Sequence, residues 1–126
     1  MAVEKLPRFT LLNDVYNANP TSMEASLQVL SRADGRKVCI LGDMLELGDQ
    51  SPALHMRVAQ EAARLGIDVI VGVGPLFYQA VKGLGFPTQE ELLQRLPDLL
   101  QTGDTILVKG SRGMHLENTV QCIRSL

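Results

Sequence analysis

The chain has 126 residues, enough for one domain whose core needs neither a metal nor a disulfide to be stable. Its formal net charge is -2 and it contains no basic run, which argues against nucleic-acid binding, because such binding requires neutralisation of phosphates. No apolar stretch approaches the roughly 20 residues of a membrane span and no secretion signal precedes the first polar residues, so we expect a cytoplasmic protein.

Short apolar runs alternate with helix patterns along the chain. The strands are predicted at residues 9–15, 38–41, 69–71 and 105–108, with a short extended piece at 85–87. The helices are predicted to begin near residues 20, 51, 75 and 88, and a last helix follows residue 113. We predict one domain, residues 1–126, in which residues 1–8 are the remnant of a linker. The order of elements indicates a Rossmann-like α/β fold, a mostly parallel sheet with helices on both faces.

Local signals mark the ends of several helices. Asn19 before Pro20 is a predicted N-cap with proline at the first helical position. Thr88 and Glu91 are spaced as a capping box. Pro97 should kink or end the helix that contains it, because proline lacks the N–H of a helical hydrogen bond.

Chemically active residues follow the predicted strands. If the strands are parallel, Asp14, Asp43, Gly74 and Lys109 share the sheet edge at which the strands end, which we call the carboxyl edge. Ligands of open α/β sheets bind at this edge.

Residues 14–20 combine an acid, a phenol and two amides. The carboxylate of Asp14 could accept ribose hydroxyls, Tyr16 could stack on a base, and Asn17 and Asn19 could bond phosphate or adenine edges. Ordinary turn chemistry explains the same residues equally well, and Asn19 leans toward a structural role.

Residues 109–113 place a cation, a hydroxyl and a guanidinium between two glycines. Lys109, Ser111 and Arg112 stand where free backbone N–H groups at a helix start favour an anion. A charged, solvated loop is the alternative. The order Lys-Gly-Ser is not that of a P-loop, so this chain could supply only part of an ATP site.

Two further polar residues have weaker support from the sequence. Asp43 could orient a substrate ammonium, although its loop could equally fold onto its own sheet. His55 lies beside the apolar stripe of a helix and is typical of a helix-surface or interface residue rather than a catalyst. A metal site is not predicted, because His115 is distant and no acidic spacing accompanies either histidine. Cys39 and Cys122 lack CxxC partners and are predicted to be reduced core thiols.

Three motifs, at residues 14–20, 41–48 and 108–113, resemble in this order the motifs of the C-terminal domain of Mur ligases, most closely those of the branch that adds D-alanyl-D-alanine. The resemblance extends from about residue 9 to the end of the chain. It implies an enzyme of three domains, of which the amino-terminal and central ones are missing here. This chain alone is therefore expected to be inactive.

The resemblance implies an ATP-dependent ligase of peptidoglycan precursor synthesis. It would join D-alanyl-D-alanine to UDP-N-acetylmuramoyl-tripeptide through an acyl phosphate, with Mg²⁺ held mainly by the missing central domain. The resemblance of the motifs implies that ATP is bound by Asp14, Tyr16, Asn17 and Asn19. The catalytic residue is Lys109, and the substrate-binding residues are Asp43, His55, Ser111 and Arg112.

A receiver-like phosphoacceptor domain is the alternative. Such domains also place an aspartate at strand ends and a lysine after the last strand, as Asp14, Asp43 and Lys109 could do here. The single acid in Asn13-Asp14 and the glycine after Lys109 depart from that pattern.

Overall fold

The computed structural model describes all 126 residues, which form one six-stranded sheet with five helices. The strands are β1 (Ala2–Lys5), β2 (Thr10–Asp14), β3 (Lys37–Gly42), β4 (Val69–Val73), β5 (Gly85–Phe86) and β6 (Thr105–Lys109). The helices are α1 (Pro20–Ser31), α2 (Ser51–Arg64), α3 (Pro75–Ala80), α4 (Gln89–Leu99) and α5 (Glu117–Ser125). Two 3₁₀ turns lie at Gly48–Gln50 and Arg112–Met114.

The sheet has the strand order β1-β2-β6-β3-β4-β5, and every pairing except that of β1 with β2 is parallel. Helices cover both faces, so the predicted Rossmann-like α/β class is confirmed. Strand β6 comes last in sequence but lies in the middle of the sheet, and all five of its residues are buried. Its apolar run is typical of a strand covered on both sides.

Two apolar clusters fill the space between the sheet and its helices. Side chains of α1, α2 and α3 pack on one face, where Leu107 of β6 joins them. Side chains of α4 and α5 pack on the other face against Ile106 and Val108 of the same strand. Because successive residues of a strand point to opposite faces, this one strand supplies both clusters.

The sequence pattern predicts no strand within residues 1–8, which we interpret as a linker remnant. The structure pairs Ala2 with Asn13 and Lys5 with Thr10 in an antiparallel edge strand. An edge strand needs little apolar surface, and most of β1 is exposed, so hydrophobic patterning alone could not reveal it.

The helix ends agree with the local signals, with one exception. Asn19 caps α1 and forms a capping box with Ser22, and the Thr88 hydroxyl accepts the N–H of Glu91. Helix α3 begins at Pro75, as predicted, and ends at Ala80. Pro97 does not end α4, which continues to Leu99, because a proline so near the end of a helix removes only one hydrogen bond.

The remaining sequence-based expectations concern thiols and membranes. Cys39 and Cys122 are both free; Cys39 is buried in β3, and burial raises the pKa of its thiol to about 12. Cys122 is only half-buried, so the core position predicted for it holds in part. None of the five helices combines the length and apolarity needed to span a bilayer.

The edge strand is tied to α5 by Glu4. Its carboxylate accepts two hydrogen bonds of 2.8 Å from Arg124 and one of 3.0 Å from Asn13. These two partners hold the pKa of Glu4 below its ordinary value of 4.5.

We predict that Glu4→Gln lowers the melting temperature by a few degrees at neutral pH. A folded-state pKa below the unfolded value stabilises the fold above the unfolded pKa, and this contribution is lost as the pH falls through the folded pKa. In a thermal denaturation series, the difference between wild type and variant should therefore shrink as the pH falls through the folded-state pKa of Glu4. The exposed and unpaired Glu46, changed to Gln, is the control; an equal effect there would refute the role of Glu4.

Candidate functional site

The carboxyl edge carries an ion pair between Asp14, which is partly exposed, and Lys109, which is buried. These residues end β2 and β6, and the parallel register places them side by side. The Lys109 Nζ lies 2.7 Å from Asp14 Oδ2, and the lysine side chain is only 3 % exposed. The sequence predicted that both residues share this edge, and the structure confirms it.

Two neighbours complete the surroundings of the pair. The Ser26 hydroxyl, on α1, donates to Asp14 Oδ2 over 3.1 Å, and Lys109 Nζ donates to the carbonyl of Asn17 over 3.2 Å. The lysine therefore fixes both the first side chain and the backbone of the segment 14–20, which we call the Asp14 loop. Ser26 was not predicted, although a serine on the inward stripe of Met23 and Leu27 is the signal that could have shown it.

The outward part of the Asp14 loop has unused polar groups. Asp14 Oδ1 has no hydrogen-bond partner, and the Met1 ammonium lies 4.0 Å from it. The ring of Tyr16 is 72 % exposed. The Asn17 side chain is also exposed and makes no hydrogen bond. In contrast, Asn19 Oδ1 accepts the Ser22 N–H, so the structural role that the sequence favoured for Asn19 is present.

The segment 109–113, the Lys109 loop, is hydrogen-bonded to residues 43–47, the Asp43 loop. Ser111 N–H donates to the carbonyl of Asp43 over 3.2 Å, and Leu45 N–H donates to Ser111 Oγ over 2.9 Å. Ser111 thus holds two loops together. The Arg112 guanidinium is exposed and has no ion-pair or hydrogen-bond partner.

Asp43 does not occupy the position expected of a substrate contact. Its side chain is buried, and its two oxygens accept the N–H groups of Leu76 and Phe77 over 3.0 and 2.8 Å. Asp43 therefore caps the start of α3, as carboxylates commonly do at helix N-termini. This geometry corrects the interpretation that Asp43 faces a substrate.

His55 is likewise inside the protein and not on a helix surface. It is fully buried on α2, where its Nε2 accepts the Met44 N–H over 2.9 Å and its Nδ1 lies 2.6 Å from the Ser51 carbonyl. The inward stripe of α2 passes through Ser51, His55, Val58 and Ala62, so His55 is part of the apolar stripe and does not lie beside it. A direct substrate contact by His55 is therefore not supported.

The receiver-like alternative finds no support. A phosphoacceptor aspartate must be open to its phosphate donor, whereas Asp43 is buried with both oxygens bonded to backbone. No three His, Cys, Asp or Glu side chains are grouped so that they could hold a metal ion. Two cavities of about 380 and 450 Å³ lie away from this edge, one between α2 and α3 and one toward the amino ends of β2 and β6.

The contact between Asp43 and α3 requires glycine at position 74. Gly74 has φ of 105°, and an added Cβ would stand 2.6 Å from Asp43 Cγ. Gly66 has a similar positive φ of 76°, but no atom lies within 4 Å of its Cβ position. Gly74, with ψ of 162°, lies in a backbone region almost confined to glycine, and of the two glycines only Gly74 has a capping carboxylate at its Cβ position.

We predict that Gly74→Ala destabilises the fold by about 2–4 kcal/mol, the sum of about 1–3 kcal/mol for a backbone conformation almost confined to glycine and about 1 kcal/mol for a displaced cap. Gly66→Ala should show only the backbone cost of about 1–2 kcal/mol. Urea denaturation of both variants measures the difference. Equal losses would show that Asp43 is not a rigid cap.

Comparison with known proteins shows the family of the chain. Residues 2–112 match the family described as "Mur ligase, glutamate ligase domain". The chain is 41% identical over 120 residues to UDP-N-acetylmuramoyl-tripeptide--D-alanyl-D-alanine ligase of Escherichia coli, covering 90% of this chain and 26% of that protein. A crystal structure of MurF from Acinetobacter baumannii superposes with a TM-score of 0.91 and 35% identity, covering 99% of this chain and 29% of that one.

A more distant structure shows the fold alone. The MurF ligase of Thermotoga maritima, solved in complex with ADP, has a TM-score of 0.85 at 23% identity, covering 98% of this chain and 30% of that one. The chain thus spans about a quarter to a third of the length of these relatives. From the match over residues 2–112 and the identity to curated ligases, the chain belongs to the Mur ligase family, within its glutamate ligase domain.

Proposed function

We propose that this chain acts as one domain of a cytoplasmic, ATP-dependent ligase that joins D-alanyl-D-alanine to UDP-N-acetylmuramoyl-tripeptide in peptidoglycan precursor synthesis. The relatives that carry this name cover most of the chain at 41% and 35% identity, and they support the proposal. The domain would close over ATP and the dipeptide together with domains that the chain does not contain. Alone it should be inactive.

The proposal depends on the Asp14 carboxylate, whose two oxygens have different surroundings. Oδ2 is held by Lys109 and Ser26, whereas Oδ1 has no hydrogen-bond partner beside the exposed ring of Tyr16. A fixed acceptor next to an open aromatic face suits a nucleoside, whose ribose offers hydroxyl donors and whose base offers a stacking surface. Asn17 adds an unpaired amide within the same loop.

Roles follow from which side chains are open. Asp14, Tyr16 and Asn17 would contact ATP, whereas Asn19 would shape the loop through its helix cap. Lys109, predicted to be catalytic, is buried on Asp14 and Asn17, so we propose that it positions the Asp14 loop instead.

The Lys109 loop would serve the anionic substrate. Arg112 is the unpaired cation there, and a guanidinium is suited to bidentate pairing with a carboxylate or phosphate. It would neutralise the dipeptide carboxylate or the acyl phosphate, while Ser111 keeps the loop in place. ATP supplies the phosphoryl group that activates the acceptor carboxylate, and such transfer depends mainly on positioning and charge neutralisation.

The rest of the ATP site must come from other parts of the enzyme. The sequence contains no P-loop, and no metal-ligand cluster is present for Mg²⁺. A site completed only by closure is common among enzymes with mobile domains.

The two tyrosines of the chain provide a test. Tyr16 is 72 % and Tyr78 48 % exposed, and only Tyr16 adjoins Asp14. In the full-length ligase, Tyr16→Ala should raise the KM for ATP about tenfold through lost stacking. Tyr78→Ala should change it less than about twofold. Steady-state ligation assays at varied ATP measure both constants.

Because the Tyr16 side chain is exposed, its removal should leave the melting temperature nearly unchanged, which separates binding from folding. An unchanged KM for ATP in the Tyr16 variant, or an equal rise in both variants, would contradict the assignment of the nucleotide site.

A further inference from the structure

His55 stands at the centre of the contacts that hold the Asp43 loop. Its ring is fully buried, with its two nitrogens bonded to groups of opposite polarity. The Met44 N–H is a donor, so Nε2 must be the acceptor. The Ser51 carbonyl is an acceptor, so Nδ1 must carry the proton. The contacts therefore select one neutral tautomer.

The Asp43 loop is held from three sides around this ring. Met44 is bonded to His55, Leu45 is bonded to Ser111, and the Asp43 carboxylate is bonded to the start of α3. Phe77 of α3 also contacts the imidazole, with ring centroids 4.6 Å apart in an edge-to-face arrangement. The ring thus connects α2, α3 and the Asp43 loop.

Glu46, which follows Leu45 in the Asp43 loop, adopts a backbone conformation that its residue type does not favour. Glu46 has φ of 65°, a left-handed conformation that is costly for a residue other than glycine. Such a conformation persists only where the surroundings impose it. On the N-terminal side of Glu46, the hydrogen bonds of Met44 and Leu45 hold the backbone in place.

We propose that His55 is a positioning residue, which, through its neutral Nδ1–H tautomer, fixes the Asp43 loop and thereby seats Ser111 and the Lys109 loop at the carboxyl edge. Imidazole Nε2 is the sole acceptor for the Met44 N–H. A side chain without an acceptor at this place leaves that N–H buried and unpaired, which favours displacement of the loop. The consequence for catalysis rests on the proposed function, whereas the effect on the loop does not.

The tautomer is tested directly by ¹⁵N NMR of the imidazole rings in this chain. His55 should show a protonated Nδ1 and an unprotonated Nε2 in slow exchange with solvent. The only other histidine, His115, has a side chain that is 72% exposed and serves as the internal control, with averaged tautomers expected. A protonated Nε2 or an averaged signal for His55 would overturn the proposal.

Two substitutions test the loop. His55→Phe keeps an aromatic ring but has no acceptor, whereas the Oε1 of His55→Gln can reach the place of Nε2. Amide exchange of Met44 should accelerate about tenfold in the Phe variant, the factor expected for one lost hydrogen bond, and by less than about threefold in the Gln variant. Amide exchange of Ser111 should likewise be faster in the Phe variant than in the Gln variant.

Equal exchange in both variants, or unchanged protection of Met44 in the Phe variant, would overturn the proposal. If the Phe variant does not fold, the tautomer measurement on the wild type still decides. In the full-length ligase, turnover should be retained by the Gln variant and reduced by the Phe variant. If Tyr16→Ala leaves the KM for ATP unchanged while the exchange results are as expected, the proposed function is rejected and the role of His55 is retained.

Discussion

The buried ammonium of Lys109 is the constraint around which the carboxyl edge is arranged. Removing a charge from water costs several kcal/mol even after the protein relaxes, so a lysine that is 3 % exposed needs an anion and further acceptors within reach. Asp14 provides the anion and the Asn17 carbonyl a further acceptor. Satisfying one cation therefore determines where the Asp14 loop can lie.

The same requirement divides the edge into a closed and an open part. Charges and polar groups that hold structure are paired and buried, as in Lys109, Asp43 and His55. Groups that are available to a ligand remain exposed beside them, as in Tyr16 and Arg112. Pre-organised open groups on a rigid support are what a site completed by another domain requires.

The sequence predicted the location of the site well because location depends on strand direction. Once the strands are parallel, Asp14 and Lys109 must emerge at one edge, and only their pairing needed the structure. The partners of Asp43 and His55 could not be predicted, because they depend on how a loop folds back. Asp43 meets α3, whose first residues follow more than thirty positions later in the chain.

Predictions from local sequence failed where contacts with other parts of the fold decide the structure. Strand β1 is short and exposed, so its sequence carries no apolar strand pattern. Its hydrogen bonds to β2 hold it in the sheet. Pro97 is tolerated because the helix is held by buried Leu92 and Leu96 and ends soon afterwards. The stripe of α2 could be placed on Leu54 or on His55, since both give helical spacing with Val58, and a buried polar residue is the less expected choice.

The central claim, that the Asp14–Lys109 pair holds the carboxyl edge together, is tested most directly by a double-mutant cycle of Asp14→Asn and Lys109→Met. Urea denaturation of the four proteins gives the coupling free energy, with the exposed pair Arg57–Glu24 as the reference cycle. The account predicts a loss of about 2–4 kcal/mol for each single variant and a coupling well above the roughly 0.2–1 kcal/mol of exposed pairs. A coupling for Asp14 and Lys109 no larger than that of the reference cycle would contradict it.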